Sequence, residues 1–294
     1  MAHLSMAGAT LLFGLNYWVA KGMMPDHLMP LQIVFLRVFG ALVLIWMLEW
    51  ITGKSKGQRI EKKDHYRLAF AALTGITLNQ ALFFTGLSIT TPIDTAIINS
   101  TNPMIVLLLS VIFLHQPAKK LKILGVLLGF SGTLILILAG GESYPLHMGG
   151  IKGNILIVLN TLCWSIYLII IKPLTGKYHP YVLMRWIFLY GFILLIPIAA
   201  TSVTSIHFDS FTLTTWGSLI YIIVGTTFLA YLFITFGLSR LTPSVVAFYT
   251  YLQPVIVAVV GILIFSEGIS MYKIVATLLI FTGIYLVNKN TSNT

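Results

Sequence analysis

The sequence predicts an all-α multi-pass membrane protein, with ten transmembrane helices arranged as two inverted five-helix repeats. Three observations predict it: a composition that a soluble domain of this size could not hide from water, ten apolar runs of bilayer-spanning length, and a self-match at a constant offset of 151 residues.

Of the 294 residues, 57% are hydrophobic and 9% are Asp, Glu, Lys or Arg, whereas roughly a quarter of an ordinary soluble domain is charged. Mean hydropathy is +0.94. A soluble fold would leave much of that apolar surface in water, so lipid is the expected solvent. A net charge of +10 would suggest nucleic acid in a soluble protein. Here the basic residues gather in two short connections, which is how membrane topology is written, and no nucleic-acid partner is expected. The single cysteine, Cys163, lies in an apolar run and cannot close an intrachain disulfide. Met1 to Ser5 lead straight into apolar sequence without a basic n-region or an early cleavage site, so the first run reads as a retained helix.

Crossing about 30 Å of hydrocarbon takes roughly 20 helical residues. Span 4–22 carries Asn16, Tyr17, Trp18 and, at its end, Lys21; span 30–51 opens on Pro30 and holds Arg37. Span 67–88 follows a basic connection and carries Asn79 and Gln80. Span 92–114 opens on Thr91-Pro92 and contains Asn99, Asn102 and Pro103, and 121–139 is marked by Gly125, Gly129 and Gly132. Span 152–172 carries Asn160, Trp164 and Tyr167, 180–200 holds Arg185, and 213–237 holds Thr227 and Tyr231. Span 243–265 opens on Thr242-Pro243 with Tyr249, Gln253 and Pro254 inside it, and 269–287 contains Gly283. Together they consume about 200 residues, leaving short connections and no room for a soluble domain.

Lys and Arg near span ends are retained in the cytoplasm. The second connection carries Lys54, Lys56, Arg59, Lys62, Lys63 and Arg67, and the fourth carries Lys119, Lys120 and Lys122. The opposite side receives only Lys21, Lys152 and Lys273. Both termini are therefore expected in the cytoplasm, with the chain in the cytoplasmic (inner) membrane. The run 53–67 reads as topogenic, the alternative being a patch for anionic lipid.

The self-match sets Lys21 on Lys172, Gly40 on Gly191, Leu44 on Leu195, and Gly86-Leu87-Ser88 on Gly237-Leu238-Ser239. It continues with Pro92 on Pro243, Pro103 on Pro254, Lys122 on Lys273 and Gly132 on Gly283. Apolar coincidences are cheap in such a chain, but Pro, Gly and Lys in register are not. Residues 1–147 and 148–294 are thus read as two repeats. Five spans is an odd number, so the second repeat enters the membrane from the opposite side. Secondary transporters use such inverted pairs, with a site near the midplane between the copies and two states of similar energy.

At these residues the chain resembles the drug/metabolite transporter superfamily, within it the EamA-type ten-helix members. The resemblance rests on Phe13-Gly14-Leu15-Asn16 with Lys21, and on Trp164-Ser165-Ile166-Tyr167 with Lys172. It also rests on Thr91-Pro92 and Asn102-Pro103 with their counterparts Thr242-Pro243 and Gln253-Pro254, and it runs from about Leu4 to Asn288. It implies that spans one, three, four, six, eight and nine line a central cavity. Gln116 departs from the Glu that many relatives carry after span four, while the second copy keeps Glu267.

Polar groups at membrane depth must face protein or a wet cavity. The substrate-binding candidates are Asn16, Trp18, Asn79, Gln80, Asn99, Asn102, Asn160, Trp164, Tyr167, Tyr231, Tyr249 and Gln253. Asn99 and Asn102, Tyr249 and Gln253, and Asn160, Trp164 and Tyr167 each recur three or four residues apart, so each set shares a helix face. The competing reading is polar glue between packed helices. Pro103 and Pro254 are candidate hinges, each leaving a carbonyl one turn earlier without its donor. Arg37 and Arg185 either hold a carboxylate substrate or snorkel to the nearer interface, and their distance from the span ends favours snorkelling. Glu49, Asp94 and Glu267 lie near span ends and all seven histidines lie in loops or at ends, so neither metal nor cofactor is expected. The glycines of spans five and ten read as scaffold, with a homodimer face as the alternative to a monomer.

These features predict a secondary transporter of small metabolites working by alternating access, with small molecule and lipid as its partners. By resemblance alone, the direction is export and the cargo amino acids or related polar or amphipathic compounds. A channel or facilitator is the first alternative. An intramembrane enzyme would need HExxH, a GxSxG elbow or paired carboxylates at depth, which the sequence lacks; a receptor would need an output domain.

Overall fold

A computed structural model of the protein describes residues 1–53, 58–114, 120–139, 147–265 and 270–289, and among them all regular structure is helical. The helices are α1 (Ala2–Met23), α2 (Pro30–Thr52) and α3 (Lys62–Ile89), then α4 in two pieces (Pro92–Asn99 and Asn102–Leu114) and α5 (Lys120–Ala139). There follow α6 (His147–Thr175), α7 (Pro180–Val203), α8 (Leu213–Arg240), α9 in two pieces (Pro243–Phe248 and Leu252–Phe265) and α10 (Met271–Lys289). Gln116 and Glu267, with Lys54, Lys56 and Lys119, lie outside the described residues.

Among the described residues, six helices are by length and composition long and apolar enough to cross a membrane: α2, α3, α6, α7, α8 and, over Val245–Phe265, α9. Ile123–Ile135 of α5 and Met271–Gly283 of α10 are apolar over shorter runs. Many large apolar side chains point outward, among them Leu11, Trp46, Phe130, Leu263 and Leu278, which water would penalise and lipid accepts. Helices α3 and α6 start earlier than the apolar runs suggest, because their first turns carry Lys62, Lys63 and Asp64, and His147, residues that hydropathy alone assigns to a loop.

Local chemistry sets the boundaries. Pro30, Pro92, Pro180 and Pro243 each stand at a first helical position, where the missing N–H removes no bond. Thr91 Oγ1 accepts from Asp94 N at 2.9 Å, and Thr242 Oγ1, 151 residues on, accepts from Val245 N at 3.4 Å. The cationic lysines close the other ends. Lys21 Nζ donates to the carbonyls of Leu87, Ser88 and Thr90 at 2.9 Å each, at the C-terminus of α3. Lys172 Nζ donates to those of Leu238 and Leu241, at 2.6 and 2.8 Å, at the C-terminus of α8. A cation there meets orphan carbonyls and the negative end of the helix dipole. Lys172→Met strips those partners and is expected to lower unfolding stability by about 1–3 kcal/mol. A purified variant that melts with the wild type would show that the contact contributes nothing.

Two helix pairs, α2 with α7 and α5 with α10, pack antiparallel. Helix α2 lies on α7 with Gln32 Nε2 donating to Ser202 O at 2.8 Å near one end, and Arg185 Nη1 to Glu49 Oε1 at 2.8 Å near the other. Helix α5 lies on α10 with Gly132 beside the backbone of Ala276 and Ile280, and Gly283 beside that of Gly125 and Gly129. The glycine faces that the sequence offers to a second copy are thus occupied within one chain. Arg185 reaches toward the helix end, as snorkelling requires, but finds a carboxylate there.

Helices α3 and α8 each contain a widened π-helical stretch, Leu73–Thr77 and Tyr221–Leu229, for which the apolar pattern holds no signal. Such widening shifts carbonyls out of the helical ladder. Gly75 O accepts from Tyr231 Oη at 2.8 Å and Thr226 O from Arg37 Nη2 at 3.3 Å.

A cluster ties the α2–α3 connection to the α6–α7 loop. Lys177 Nζ lies 2.5 Å from Glu61 and 2.7 Å from Asp64, and Tyr178 Oη donates to Asp64 at 2.6 Å. Lys177 and Lys63 hold the Glu61 carboxyl below its ordinary range, and Asp64 and Glu61 hold the Lys177 ammonium above its own. A depressed carboxyl stabilises above its unfolded pKa and loses that effect as pH falls through the folded value; a raised ammonium stabilises below its unfolded pKa and loses it as pH rises through the folded value. The tie is therefore expected to persist across neutral pH and to loosen below about pH 4. Faster amide exchange in residues 58–64 on acidification checks this, and unchanged exchange would deny the tie. Solvent screening keeps the effect small.

Candidate substrate cavity

Between α1, α3, α4, α6, α8 and α9 lies a cavity that is partly open to solvent. These are the six helices that the family resemblance implies, and α2 adds one side chain, Arg37. The walls combine neutral polar groups with aromatic rings, the mixture that orients small ligands while burying their apolar parts.

The polar groups form chains between helices. Tyr17 Oη of α1 donates to Gln253 Oε1 of α9 at 2.8 Å and accepts from Asn99 Nδ2 of α4 at 2.8 Å. Asn99 Oδ1 in turn accepts from Thr161 Oγ1 of α6 at 2.6 Å. Four helices from both halves are thereby joined across the cavity. Asn160 Nδ2 donates to Asn79 O at 2.8 Å and Asn79 Nδ2 to Asn160 O at 3.3 Å. Asn102 Nδ2 donates to Ser165 Oγ at 2.9 Å, and Gln80 Nε2 donates to Tyr231 Oη. Beside them Phe13, Trp164 and Tyr231 stand edge to face, with ring centres 5.6–6.5 Å apart.

Every predicted binding residue lines this cavity except Trp18 and Tyr167. Trp18 faces the other way, stacked on Phe265 with centroids 4.4 Å apart and donating Nε1–H to Val257 O at 2.9 Å. Tyr167 is buried behind Trp164, in the hollow left by the absent side chain of Gly75. Helical spacing put Tyr167 on the Asn160 face, but that face is wider than the cavity, and the tyrosine fills the packed part of it. Glue and lining are also not exclusive, since the Asn79–Asn160 pair does both.

The prolines lie at irregular points of their helices. Pro103 and Pro254 do not stand in the middle of regular α-helix. Each sits in the first turn of an α-helical piece, Asn102–Leu114 or Leu252–Phe265, that follows the turn at Ser100–Thr101 or the 3₁₀ turn Tyr249–Tyr251. Thr101 O accepts from Met104 N and Ile105 N, as an N-cap carbonyl does. The turns place Asn99, Asn102, Tyr249 and Gln253 at irregular backbone beside the cavity.

Arg37 overturns a second expectation. It does not snorkel: it is 1% exposed and lines the cavity. Its Nε donates to Thr227 Oγ1 at 2.7 Å, its Nη2 to Thr226 O and Oγ1 at 3.3 Å, and its guanidinium carbon stands 4.8 Å over the Phe84 ring. Distance from a span end is a poor guide where a π-helical neighbour offers carbonyl and hydroxyl oxygens at depth. Phe13, Tyr17, Phe83 and Thr161 also line the cavity; Tyr17 is marked in its span by the sequence and Phe13 by the family motif, whereas Phe83 and Thr161 carry no signal beyond neighbouring predicted positions.

A model of the EamA-like transporter family matches residues 1–138 and, a second time, residues 151–289. The chain belongs to the EamA-like transporter family. It is accordingly a multi-pass membrane protein of a transporter family. It is 24% identical over 285 residues to the uncharacterized transporter YetK of Bacillus subtilis (strain 168), covering 97% of this chain and 86% of that protein. It is 25% identical over 259 residues to an uncharacterized transporter of Archaeoglobus fulgidus, covering 87% of each. A crystal structure superposes on it with a TM-score of 0.69 and 16% identity, over 98% of this chain and 97% of that one, a likeness of fold alone. Within this EamA-like chain the cavity presents neutral hydrogen-bonding groups, aromatic faces and one guanidinium, and its described lining contains no Asp, Glu, Lys, His or Cys.

Proposed function

We propose that the protein is a secondary transporter that moves small polar or amphipathic metabolites, amino acids or related compounds, out of the cell by alternating access. Ten spans form two inverted repeats, residues 1–147 and 148–294, with both termini in the cytoplasm. The observation that carries the reading is the cavity itself, enclosed by corresponding helices of the two halves. The inverted arrangement is supported by the equivalent helices α2 and α7, and α5 and α10, lying antiparallel. The paired lysine caps and the double family match at nearly the same offset support the repeat. Two similar bundles facing a shared site can exchange conformations at little cost, so either side can open.

Substrate binding falls to Asn16, Asn79, Gln80, Asn99, Asn102, Asn160, Trp164, Tyr231, Tyr249 and Gln253. The turns before Pro103 and Pro254 act as hinges, since the α-helical pattern is interrupted there. Counterflow in vesicles reconstituted with the full chain tests this. Saturable exchange of a labelled solute for the same unlabelled solute is expected, because a carrier must return loaded. Unsaturable flow would make the protein a channel, and no flux of any metabolite class with folded protein would end the proposal.

A further inference from the structure

Arg37 is a buried cation whose charge no carboxylate of the described protein neutralises. Three of its contacts go to neutral oxygens, those of Thr226 and Thr227. Its Nη1 has no hydrogen-bond partner among the described residues, and the residue forms part of the cavity wall. Desolvated charge is retained where it meets an opposite charge or serves a site. Thr226 Oγ1 also donates to Asn16 Oδ1 at 3.2 Å, coupling the guanidinium to a second cavity residue. The anchoring fixes the fork through Nε and Nη2, and leaves Nη1 as the donor pair for something that arrives. Charged recognition of this kind suits a carboxylate, an acceptor-only group of opposite charge that a single guanidinium nitrogen can serve.

Two further features sharpen the ligand. The position equivalent to Arg37 in the second repeat is Phe188, packed against Tyr231 with ring centres 5.4 Å apart. A device of the scaffold would be expected in both halves, as the lysine caps are, whereas this charge breaks the repeat at the cavity. Phe13, Trp164 and Tyr231 stand within the same cavity as a rigid apolar face. An acidic group to pair with a substrate ammonium is absent from the described lining.

We infer that the cavity recognises an organic carboxylate with an apolar or aromatic body, its carboxylate on Arg37 Nη1 and its body against Phe13, Trp164 and Tyr231. This rests on the transporter reading and narrows its cargo: the carboxylate is required and an amino group is not.

Three probes of one shape separate the charges: 3-phenylpropionate, its neutral amide, and 3-phenylpropylamine, each titrated against the purified full chain by thermal shift. The expected result is a saturable rise in melting temperature with the carboxylate, and at least roughly tenfold weaker binding of the amide and amine, the loss of one charge-assisted contact. Arg37→Gln abolishes the carboxylate shift and Arg37→Lys restores part of it. Equal binding of the amide, preference for the amine, or an undiminished carboxylate shift in Arg37→Gln overturns the assignment. If Arg37→Gln fails to fold, the three-probe series on the wild type still decides. No shift with any probe, in a protein that still shows counterflow of another solute, overturns the carboxylate inference and leaves the carrier standing. Absence of all counterflow overturns the carrier itself.

Discussion

Gly283→Leu is expected to prevent accumulation of folded protein. A Cβ at Gly283 would lie 2.8 Å from Gly129 N and nearer still to the carbonyl oxygen of Gly125. Those are backbone atoms of α5, so no rotamer change can relieve the clash; the two helices must part. The same close approach recurs around Gly132, where a Cβ would stand 2.7 Å from Ala276 O. Helix association in lipid depends on such intimate contact, because lipid tails compete equally for apolar surface. Overpacking of a rigid contact costs about 3 kcal/mol, a large share of the stability typical of a domain. Yield and melting temperature in detergent measure it, with Gly22→Ala as control, since a Cβ there meets nothing within 4 Å. Wild-type melting of Gly283→Leu would show that α5 and α10 do not pack as described.

Gln253→Leu is expected to cut counterflow roughly tenfold or more, the loss of one buried hydrogen-bond partner where it matters to a ligand, while leaving yield near wild type. The glutamine accepts from Tyr17, which accepts from Asn99, which accepts from Thr161. Removing Oε1 frees the first member of that chain and disorders the polar surface shared by α1, α4, α6 and α9. Leucine keeps the volume, so helix packing is preserved. Trp164→Ala tests the aromatic wall in the same assay and is expected to impair flux likewise. Loss of the folded protein in both variants would mark these residues as packing, and intact flux in both would place the transported solute elsewhere.

The membrane class and the helical character were legible in the composition and the apolar runs, because lipid solvation acts on a whole segment and needs no partner. The cavity helices were legible through the family resemblance, and most cavity residues through the cost of a polar group at membrane depth. What failed was orientation about the helix axis. Trp18 and Tyr167 carry the same polar and aromatic chemistry as Trp164 and Tyr231, yet one finds Val257 O and Phe265 and the other the hollow at Gly75. Spacing says which residues share a face, but not how much of that face a neighbour covers.

Arg37 shows the same limit for charge. Its sequence neighbourhood is apolar and its distance to a span end suggested escape to water. The oxygens that keep it inside belong to Thr226 and Thr227, on a π-helical stretch of the other half nearly 190 residues away. The turns before Pro103 and Pro254 were half visible, since proline marks the place, but whether the α-helical pattern is interrupted there depends on what receives the freed backbone groups.

By itself the sequence determined the solvent, the helical class and the places where proline, glycine and lysine punctuate the chain, because these follow from free energies local to a segment. Tertiary structure alone decided which polar side chains face the cavity, that the glycine faces of α5 and α10 meet within one chain, and that one guanidinium stays at depth. Each of those depends on partners far away in the chain, whose approach no local pattern encodes.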